Sequence, residues 1–302
     1  MSKVQVNKLH ALTGHRDCVY TLERAAEPHL FFSGGGDGMV VLWDMKHPEE
    51  GQLIARLPNS IYALHHLTEQ SLLVAGHNYE GIHLLDWREK KEIASLQMTT
   101  SFIFDIKSQG NDLLIATGDG LLTVVDRENW VVRKKLPGSG RSARTIAINP
   151  VAGEVAVGYS DNYIRLFDAD TYQLKKEWLA HGNSVFTLVY DKEYKLLFSG
   201  SRDARLKVWE TGTYRLHEEI AAHLFAINHL EFSPDGKHFV TCSMDKSVKV
   251  WDTSALQLLK VIDKARHAGH GTSVNKLLWS SFNNELVSAS DDRTISLWHL
   301  IF

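Results

Sequence analysis

Short runs of apolar residues alternate along the chain with clusters of glycine, aspartate and other turn-forming residues. In one such stretch, the apolar runs 30–33 and 39–43 flank a turn that contains Gly34, Gly35 and Gly36. Short runs bounded by such turns are typical of β-strands joined in hairpins, because tight turns need unusual backbone angles. The pattern leaves little room for helix, and it therefore predicts an all-β protein.

One signature returns at an almost constant interval. An Asp is followed six residues later by a large apolar residue, usually Trp and usually before an acid, as in Asp37 and Trp43-Asp44. The large apolar residues of the seven copies are spaced 42, 40, 42, 42, 42 and 47 residues apart: Trp43, Leu85, Val125, Phe167, Trp209, Trp251 and Trp298. In the second copy, Tyr79 replaces the leading Asp.

A period of about 40–45 residues is typical of a propeller built from four-stranded antiparallel blades. Seven copies therefore predict a seven-bladed β-propeller that occupies residues 1–302 as a single domain. The length alone would fit two domains, at about 100–200 residues each, but one closed ring of seven blades uses the whole chain.

A second set of residues keeps register with the first. Four histidines each precede the Asp of their copy by 22 residues, and a hydroxyl residue precedes the same Asp by four. The complete sets are His15, Ser33, Asp37 and Trp43; His181, Ser199, Asp203 and Trp209; His223, Thr241, Asp245 and Trp251; and His270, Ser288, Asp292 and Trp298. These residues resemble the WD-repeat family of β-propellers, and the resemblance covers essentially the whole chain. It implies that each set forms a buried hydrogen-bonded network within one blade.

Blades two, three and four depart from this pattern. Leu57, Gln97 and Ser139 stand where the His would be, and the hydroxyl position is held by apolar residues, namely Ala75, Ile115 and Val157. The sequence therefore predicts that these three blades depend on apolar packing alone. The chain also ends one strand short of a finished last blade. We expect Val4 to Leu12 to supply the missing strand, because closure removes an open sheet edge.

Composition restricts the partners and the compartment. The net charge is −3, from 33 basic and 36 acidic residues, so no overall field favours a polyanion and nucleic acid is an unfavoured partner. Cys18 and Cys242 lie in separate predicted strands, which is typical of buried thiols in a reducing compartment. The chain shows neither an apolar signal region nor a membrane-spanning run. We expect a cytoplasmic protein that does not bind membranes.

The His, Ser and Asp sets invite comparison with a hydrolase triad. A triad occurs once, whereas this constellation appears four times at the same spacing, so it indicates a structural role. The sequence also has no phosphate-binding loop of the Gly-x-x-x-x-Gly-Lys kind. We therefore expect no catalytic residue, no cofactor and no enzymatic activity.

Histidines cluster at two places, one formed by His65, His66, His77 and His83 and the other by His267 and His270. Strand alternation would send His65 and His66 to opposite faces. No cysteine pair or acidic ligand set at metal spacing accompanies them in the sequence. The prediction is that they are core or surface histidines and that no metal site is present.

The best candidate for a binding site lies at the start of each innermost strand. Seven equivalent positions there hold Tyr20, Tyr62, Phe104, Arg144, Phe186, Asn228 and Asn275. The resemblance implies that they line the mouth of the central channel, where other members of the family receive peptide side chains. Aromatic and arginine residues dominate binding energy at interfaces. The rings could equally fill the channel and pack on one another.

The function predicted from these features is a non-catalytic protein–protein interaction scaffold or adaptor. It would bind one or more partner proteins or peptides through the channel-mouth face and be monomeric by itself. The alternative is an accessory subunit of a ribonucleoprotein or translation complex that contacts RNA, which requires a basic surface stripe. Two loops, 87–92 and 263–270, are further candidates for contact, although ordinary loop variation explains both.

Overall fold

The structure, a computed structural model, describes residues 4–302. Within that range it contains seven four-stranded antiparallel sheets and one short helix. This all-β architecture is that of a seven-bladed β-propeller, as the sequence predicted. The assignment of residues 1–302 to a single domain stays a prediction.

The strands follow one another along the chain in groups of four, one group to a sheet. The first strand is β1 (Gln5–Leu12). Blade one consists of β2 (Val19–Arg24), β3 (Leu30–Gly35), β4 (Met39–Asp44) and β5 (His47–Arg56). Blade two consists of β6 (Ile61–Leu67), β7 (Leu72–His77), β8 (Gly81–Asp86) and β9 (Lys91–Gln97). Blade three consists of β10 (Ile103–Gln109), β11 (Asp112–Thr117), β12 (Leu121–Asp126) and β13 (Val131–Pro137).

The later blades repeat the same order. Blade four consists of β14 (Ala143–Asn149), β15 (Glu154–Tyr159), β16 (Tyr163–Asp168) and β17 (Leu174–Leu179). Blade five consists of β18 (Val185–Tyr190), β19 (Leu196–Ser201), β20 (Arg205–Glu210) and β21 (Leu216–Ala221). Blade six consists of β22 (Ile227–Phe232), β23 (His238–Ser243), β24 (Val248–Asp252) and β25 (Leu258–Ile262). Blade seven contains β26 (Val274–Trp279), β27 (Glu285–Ser290) and β28 (Ile295–Ile301).

Blade seven is completed by the N-terminal strand. β1 pairs antiparallel with β28, with Gln5 opposite Ile301 and Leu12 opposite Ile295. Val4 and Leu12 are both 3% exposed, so this segment is packed as well as hydrogen-bonded. The predicted closure by the N-terminal segment is confirmed.

The short helix α1 (Lys264–His267) lies in the segment that makes the last repeat five residues longer than its neighbours. Asp263 caps it by accepting from the backbone N–H of Arg266 at 2.8 Å. The same carboxylate also accepts from the Arg266 guanidinium. The extra residues therefore form a locally stabilised turn. Among the described residues, no helix has the length and apolar character needed to cross a membrane.

Burial follows strand position within each sheet. Every residue of β11, β15 and β27 is buried, whereas the outermost strands β9, β13, β17 and β21 are mostly exposed. A strand covered on both faces has a continuous run of apolar residues in its sequence, as in Leu113 to Ala116. The middle strands of these blades are therefore the ones covered on both faces.

The chain divides into two compact units. Unit 1 comprises the described part of Met1–His77, Leu84–Ile93 and Asn228–Phe302, and unit 2 comprises Asn78–His83 and Ala94–Ile227. In unit 1, Phe31 and Trp43 of blade one pack with Val287 and Leu297 of blade seven. In unit 2, core residues of blade three, such as Leu114 and Val124, pack with Ile146 and Val155 of blade four.

Candidate functional site

The repeated polar sets meet inside single blades. In blade one, the Nε2 of His15 lies 2.7 Å from the Oγ of Ser33, and its Nδ1 lies 3.1 Å from the Asp37 carboxylate. Trp43 donates from Nε1 to the same Ser33 Oγ at 2.8 Å. Asp37 also accepts from the backbone N–H of Arg16. The Ser33 hydroxyl, which is fully buried, thus links the ring of the histidine to that of the tryptophan.

Blades five and seven repeat this geometry closely. His181 lies 2.8 Å from Ser199 and 3.1 Å from Asp203, and Trp209 donates to Ser199 at 2.8 Å. In blade seven the matching contacts join His270, Ser288, Asp292 and Trp298, at 2.8–3.0 Å. In blade six, Trp251 donates to the Thr241 hydroxyl at 2.9 Å, and His223 is buried.

The networks of blades one, five and seven hold their aspartates in the ionised form. Burial acts to raise the pKa of Asp203, but the hydrogen bond and charge of His181 and the backbone N–H groups of Arg205 and Gly182 outweigh it. The pKa of Asp203 falls to about 2 as a result. The pKa values of Asp37 and Asp292 are also lowered, against burial, by backbone and histidine hydrogen bonds.

Blades two to four do not depend on apolar packing alone, so that prediction is wrong. In blade three, Asp119 accepts from the hydroxyl groups of Thr99 and Thr117. In blade two, the backbone N–H of Asn59 donates to the Nε2 of the fully buried His77 at 3.1 Å. These partners lie at positions that the repeat does not mark, and the sequence pattern therefore concealed them.

Blade four replaces the lost histidine with an arginine. Arg165 donates to Asp161 at 2.7 Å and to Glu177 at 2.9 Å, and its guanidinium lies 4.6 Å from the centroid of the Tyr159 ring. The Arg165 side chain is only 11% exposed. A buried carboxylate is costly unless it is paired, so the arginine satisfies the requirement that the histidine meets elsewhere.

The seven innermost-strand positions are all half-buried. Four of them belong to unit 1, where the rings of Tyr20 and Tyr62 meet edge to face with centroids 4.5 Å apart. Burial, and then the neighbouring Tyr62, raise the pKa of Tyr20 well above its usual range. Tyr20 therefore stays protonated in this aromatic pair.

The side chains of the two asparagines of unit 1 donate hydrogen bonds to backbone carbonyls and to neighbouring side chains. Asn275 donates to the carbonyl of Val19 at 2.9 Å and to the carboxylate of Asp291 at 2.7 Å. Asn228 donates to the carbonyl of Val274 at 2.8 Å. Their amides thus tie the starts of successive inner strands together.

The other three positions, in unit 2, form a cation–π stack. The guanidinium carbon of Arg144 lies 3.8 Å from the centroid of the Phe104 ring and 4.6 Å from that of Phe186. Arg144 is therefore held between two aromatic faces. Such contacts contribute about 0.5–2 kcal/mol each, depending on solvation.

Two further aromatic residues extend this stack. Phe102 stacks on Phe104 with centroids 5.7 Å apart and an interplanar angle of 25°, and Tyr79 contacts Phe102 at 4.9 Å. We call Tyr79, Phe102, Phe104, Arg144 and Phe186 the aromatic row; all five belong to unit 2. Phe102 precedes the marked position by two residues and therefore falls outside the repeat pattern. The replacement of the repeated Asp by Tyr79 was the one sequence feature that could have indicated an aromatic cluster here.

The repeat segments match a known family model. Residues 6–44, 172–210, 214–252 and 262–299, which make up just over half of the chain, match the model described as WD domain, G-beta repeat. The chain belongs to the WD-repeat family. The four matched segments are those with complete His, hydroxyl, Asp and Trp sets, and the unmatched WD-repeat blades are those with substituted networks.

Two curated proteins match part of the chain. The WD repeat-containing protein GTS1 of Arabidopsis thaliana is 28% identical over 127 residues, which is 38% of this chain and 32% of that protein. The Protein lethal(2)denticleless of Drosophila melanogaster is 28% identical over 136 residues, which is 44% of this chain and 16% of that protein. The chain thus matches a third or less of the length of each relative.

A solved WD-repeat structure matches the whole fold. The WD40 β-propeller domain of Doa1 superposes with a TM-score of 0.86 at 18% identity, covering 98% of this chain and 97% of that one. At this level of identity the similarity establishes the shared architecture only.

Two features lie outside the WD-repeat pattern, the 87–92 loop and the histidine cluster of blade two. Trp87, in the 87–92 loop, is 6% exposed, and its ring packs 5.5 Å from that of Phe32, so it is a core residue. The histidine cluster does have an acidic neighbour, contrary to expectation, because ligand atoms of Glu80 and His83 lie within 4.8 Å of each other. The WD-repeat spacing gave no indication of this contact, since Glu80 lies in the β7–β8 turn.

Proposed function

We propose that the protein is a non-catalytic scaffold or adaptor that binds partner proteins or peptides through the starts of its innermost strands. The residues assigned to this role are Tyr20, Tyr62, Phe104, Arg144, Phe186, Asn228 and Asn275. WD-repeat propellers generally mediate protein–protein interaction, which supports the class of function. The observation that carries the assignment is the half-exposed stack of Arg144 between two phenylalanines. Arginine and aromatic residues are enriched among the side chains that dominate interface energy.

The chemistry of the buried sets supports a structural role for them. Each serine hydroxyl that contacts a histidine also accepts from a tryptophan, as Ser33 does, and is fully buried. A nucleophile must reach its substrate, and these hydroxyl groups cannot. Burial, and then the Asp291 carboxylate, raise the pKa of the half-buried Cys18 thiol to about 11, so that it remains protonated and weakly nucleophilic. These features favour a scaffold over an enzyme.

We also propose that the protein is monomeric by itself and works in the cytoplasm. Cys18 and Cys242 are both free thiols, and Cys242 is fully buried. Unpaired, buried cysteines are compatible with a reducing compartment. Fractionation of cells that express a tagged chain, together with light scattering of the purified protein, would measure both properties.

Affinity purification from the native host tests the proposed function. The tagged wild-type chain is compared with a variant carrying Tyr62→Ala, Phe104→Ala and Phe186→Ala. A matched control carries Val151→Ala and Leu179→Ala, because these two apolar residues are 78% and 62% exposed and lie outside the proposed site. The proposal expects partners to be lost only from the first variant. Partners retained by that variant, while its fold remains intact by circular dichroism, would assign binding to another surface.

A further inference from the structure

Ser139 is an exposed hydroxyl residue at a position where the complete blades bury a histidine. It precedes Asp161 by 22 residues, the interval that separates His181 from Asp203 in blade five. The histidines at this position are all buried, whereas Ser139 lies on the surface. Among the seven residues that precede the repeated Asp position by 22, Ser139 is the only one with a hydroxyl group. Blade four thus presents a modifiable group at a point that the complete blades cover.

The loop that carries Ser139 is anchored on both sides of it. The backbone N–H of Gly138 and the hydroxyl of Ser142 each donate to a backbone carbonyl of the β11–β12 turn at 3.1 Å. Ser139, Gly140 and Arg141 lie between these anchors and are exposed. Nothing lies within 4 Å of a Cβ placed on Gly140. Exposed loop tips with small residues are preferred sites of attack by proteases, and a kinase needs the same access.

The Ser139 hydroxyl acts on the carboxylate of Asp161. Burial acts to raise the pKa of Asp161, but hydrogen bonds from Arg165 and from the Ser139 hydroxyl outweigh it, and the pKa is lowered. The Asp161 side chain is only 15% exposed, so water contributes little to stabilising its charge. A buried carboxylate is costly without donors, and Ser139 is one of the donors that this one has.

Two arginines could respond to a phosphate on this serine. Arg165 uses Nη2 on Asp161 and Nε on Glu177, and its buried Nη1 has no hydrogen-bond partner among residues 4–302. Arg141 follows Ser139 by two residues, and its exposed side chain forms no ion pair within the same range. Phosphate adds about −1.5 to −2 charges and three acceptor oxygens at pH 7. It would therefore compete with Asp161 for the guanidinium of Arg165.

We propose that Ser139 is a phosphorylation site for a protein serine kinase, and that its phosphate loosens blade four. The Ser139 Oγ forms a bond to the γ-phosphorus of ATP, and the bond from that phosphorus to the bridging oxygen breaks, so that ADP leaves. The hydroxyl proton passes to the carboxylate base of the kinase. The inference does not rest on the proposed function, because Ser139 is not one of the strand positions assigned to partner binding.

Phosphorylation converts a donor into a dianion beside a buried acid. The modified Ser139 no longer donates to Asp161, and its charge repels that carboxylate. Arg165 already serves two carboxylates, so it neutralises the phosphate only by weakening its pair with Asp161. The exposed Arg141 offsets part of the added charge. The expected result is a less stable blade four with the histidine networks of blades five and seven unchanged.

Access to the site is tested with purified kinases. The folded full chain is incubated with MgATP and a panel of serine kinases that prefer basic substrates, because Lys134, Lys135 and Arg141 lie near Ser139 in sequence. A synthetic peptide of residues 131–145 is treated in parallel, and tandem mass spectrometry locates the phosphate. We expect Ser139 to be modified in both. Modification of the peptide alone, of neither substrate, or of Ser142 in place of Ser139 would overturn the assignment.

The effect on blade four is tested without a kinase. Phosphoserine is inserted at position 139 by expansion of the genetic code, and at position 254 as the matched control. Ser254 also donates to an aspartate, Asp252, at 2.8 Å, but it lies at an exposed site. Melting temperature and hydrogen–deuterium exchange of β15 and β16 are measured for both proteins and for the unmodified chain.

Phosphoserine at position 139 should lower the melting temperature by roughly 2–4 °C and speed exchange in β15 and β16 about tenfold. The same group at position 254 should leave both measurements unchanged. Adding Arg141→Gln to the first protein should deepen its loss, because the offsetting cation is removed. Exchange in β15 and β16 equal to that of the unmodified chain would overturn the loosening. A higher melting temperature would also overturn it, because the phosphate would then strengthen the network.

Discussion

Arg165 donates to the carboxylate of Asp161 across 2.7 Å, and blade four thereby neutralises its repeated aspartate without a histidine. The blades with complete sets use a histidine 22 residues before the Asp, whereas this arginine follows it by four. The aspartate is therefore the element that requires a partner, and the partner can come from another strand. Loss of the repeated histidine does not imply loss of the buried network.

Removal of this arginine should destabilise the protein. Arg165→Met leaves Asp161 largely buried without its cation, and breaking a buried pair in this way costs about 3–5 kcal/mol. We expect a clear fall in the midpoint of urea unfolding, followed by tryptophan fluorescence. Arg205→Met is the matched control, because its contact with Glu219 is 3.9 Å long and both side chains are exposed. If the unfolding midpoint of Arg205→Met fell as far as that of Arg165→Met, the stabilising role of the Arg165–Asp161 pair would be contradicted.

The shared hydroxyl of a complete set should also be critical. Ser199→Ala removes the common partner of His181 and Trp209, and leaves both rings with an unsatisfied buried nitrogen. Each such loss costs about 1–3 kcal/mol, so the melting temperature should fall by several degrees. Ser254→Ala removes an exposed hydroxyl bonded to Asp252 and should be nearly neutral. Equal melting temperatures for the two variants would refute a stabilising network.

Acid should weaken the fold through the same aspartates. The pKa of Asp203 lies at about 2 in the folded chain, below its ordinary value of 3.8. Because the folded value is depressed, the stabilisation is complete above pH 3.8 and is lost as the pH falls toward about 2. Melting temperatures measured across this range should drop steeply for the wild type and less steeply for Asp203→Asn. Parallel curves for the two proteins would show that protonation of Asp203 does not control the acid sensitivity of the fold.

Removal of the N-terminal strand should destabilise blade seven. Deletion of residues 1–12 exposes the edge of β28 and the surface against which Leu12 packs. Leu12 is 3% exposed in the intact chain. We expect a lower melting temperature and greater aggregation, because an unpaired strand edge recruits other chains. Leu9→Ala, at a position that is 41% exposed on the same strand, should be tolerated. An unchanged melting temperature after the deletion would show that β1 contributes little.

The sequence predicted the architecture because the repeat marks positions that each blade uses in the same way. Trp43, Trp209 and Trp298 occupy equivalent places, so spacing alone located the strands and the closing segment. The substituted networks could not be predicted in this manner. Arg165 and Thr99 reach their aspartates from positions that the repeat leaves variable, and only the folded backbone brings them together.

The candidate site was predicted in part. The spacing of the repeats located Phe104, Arg144 and Phe186 at equivalent strand positions. It did not reveal that the Arg144 guanidinium lies between the two phenylalanine rings. Tyr79 and Phe102 join the same row from a turn and a loop, where strand periodicity gives no information. Side-chain contacts between separate segments are set by backbone geometry, which a linear pattern does not encode.

The pairing of β1 with β28 has a consequence for biosynthesis. Gln5 and Ile301 are partners in one sheet, yet nearly the whole chain separates them. At about 5–20 residues per second, translation leaves β1 without its partner for a time on the order of tens of seconds. A nascent chain therefore carries an unpaired β1 until the ribosome delivers β28. Folding of blade seven is the step at which molecular chaperones would act with greatest effect.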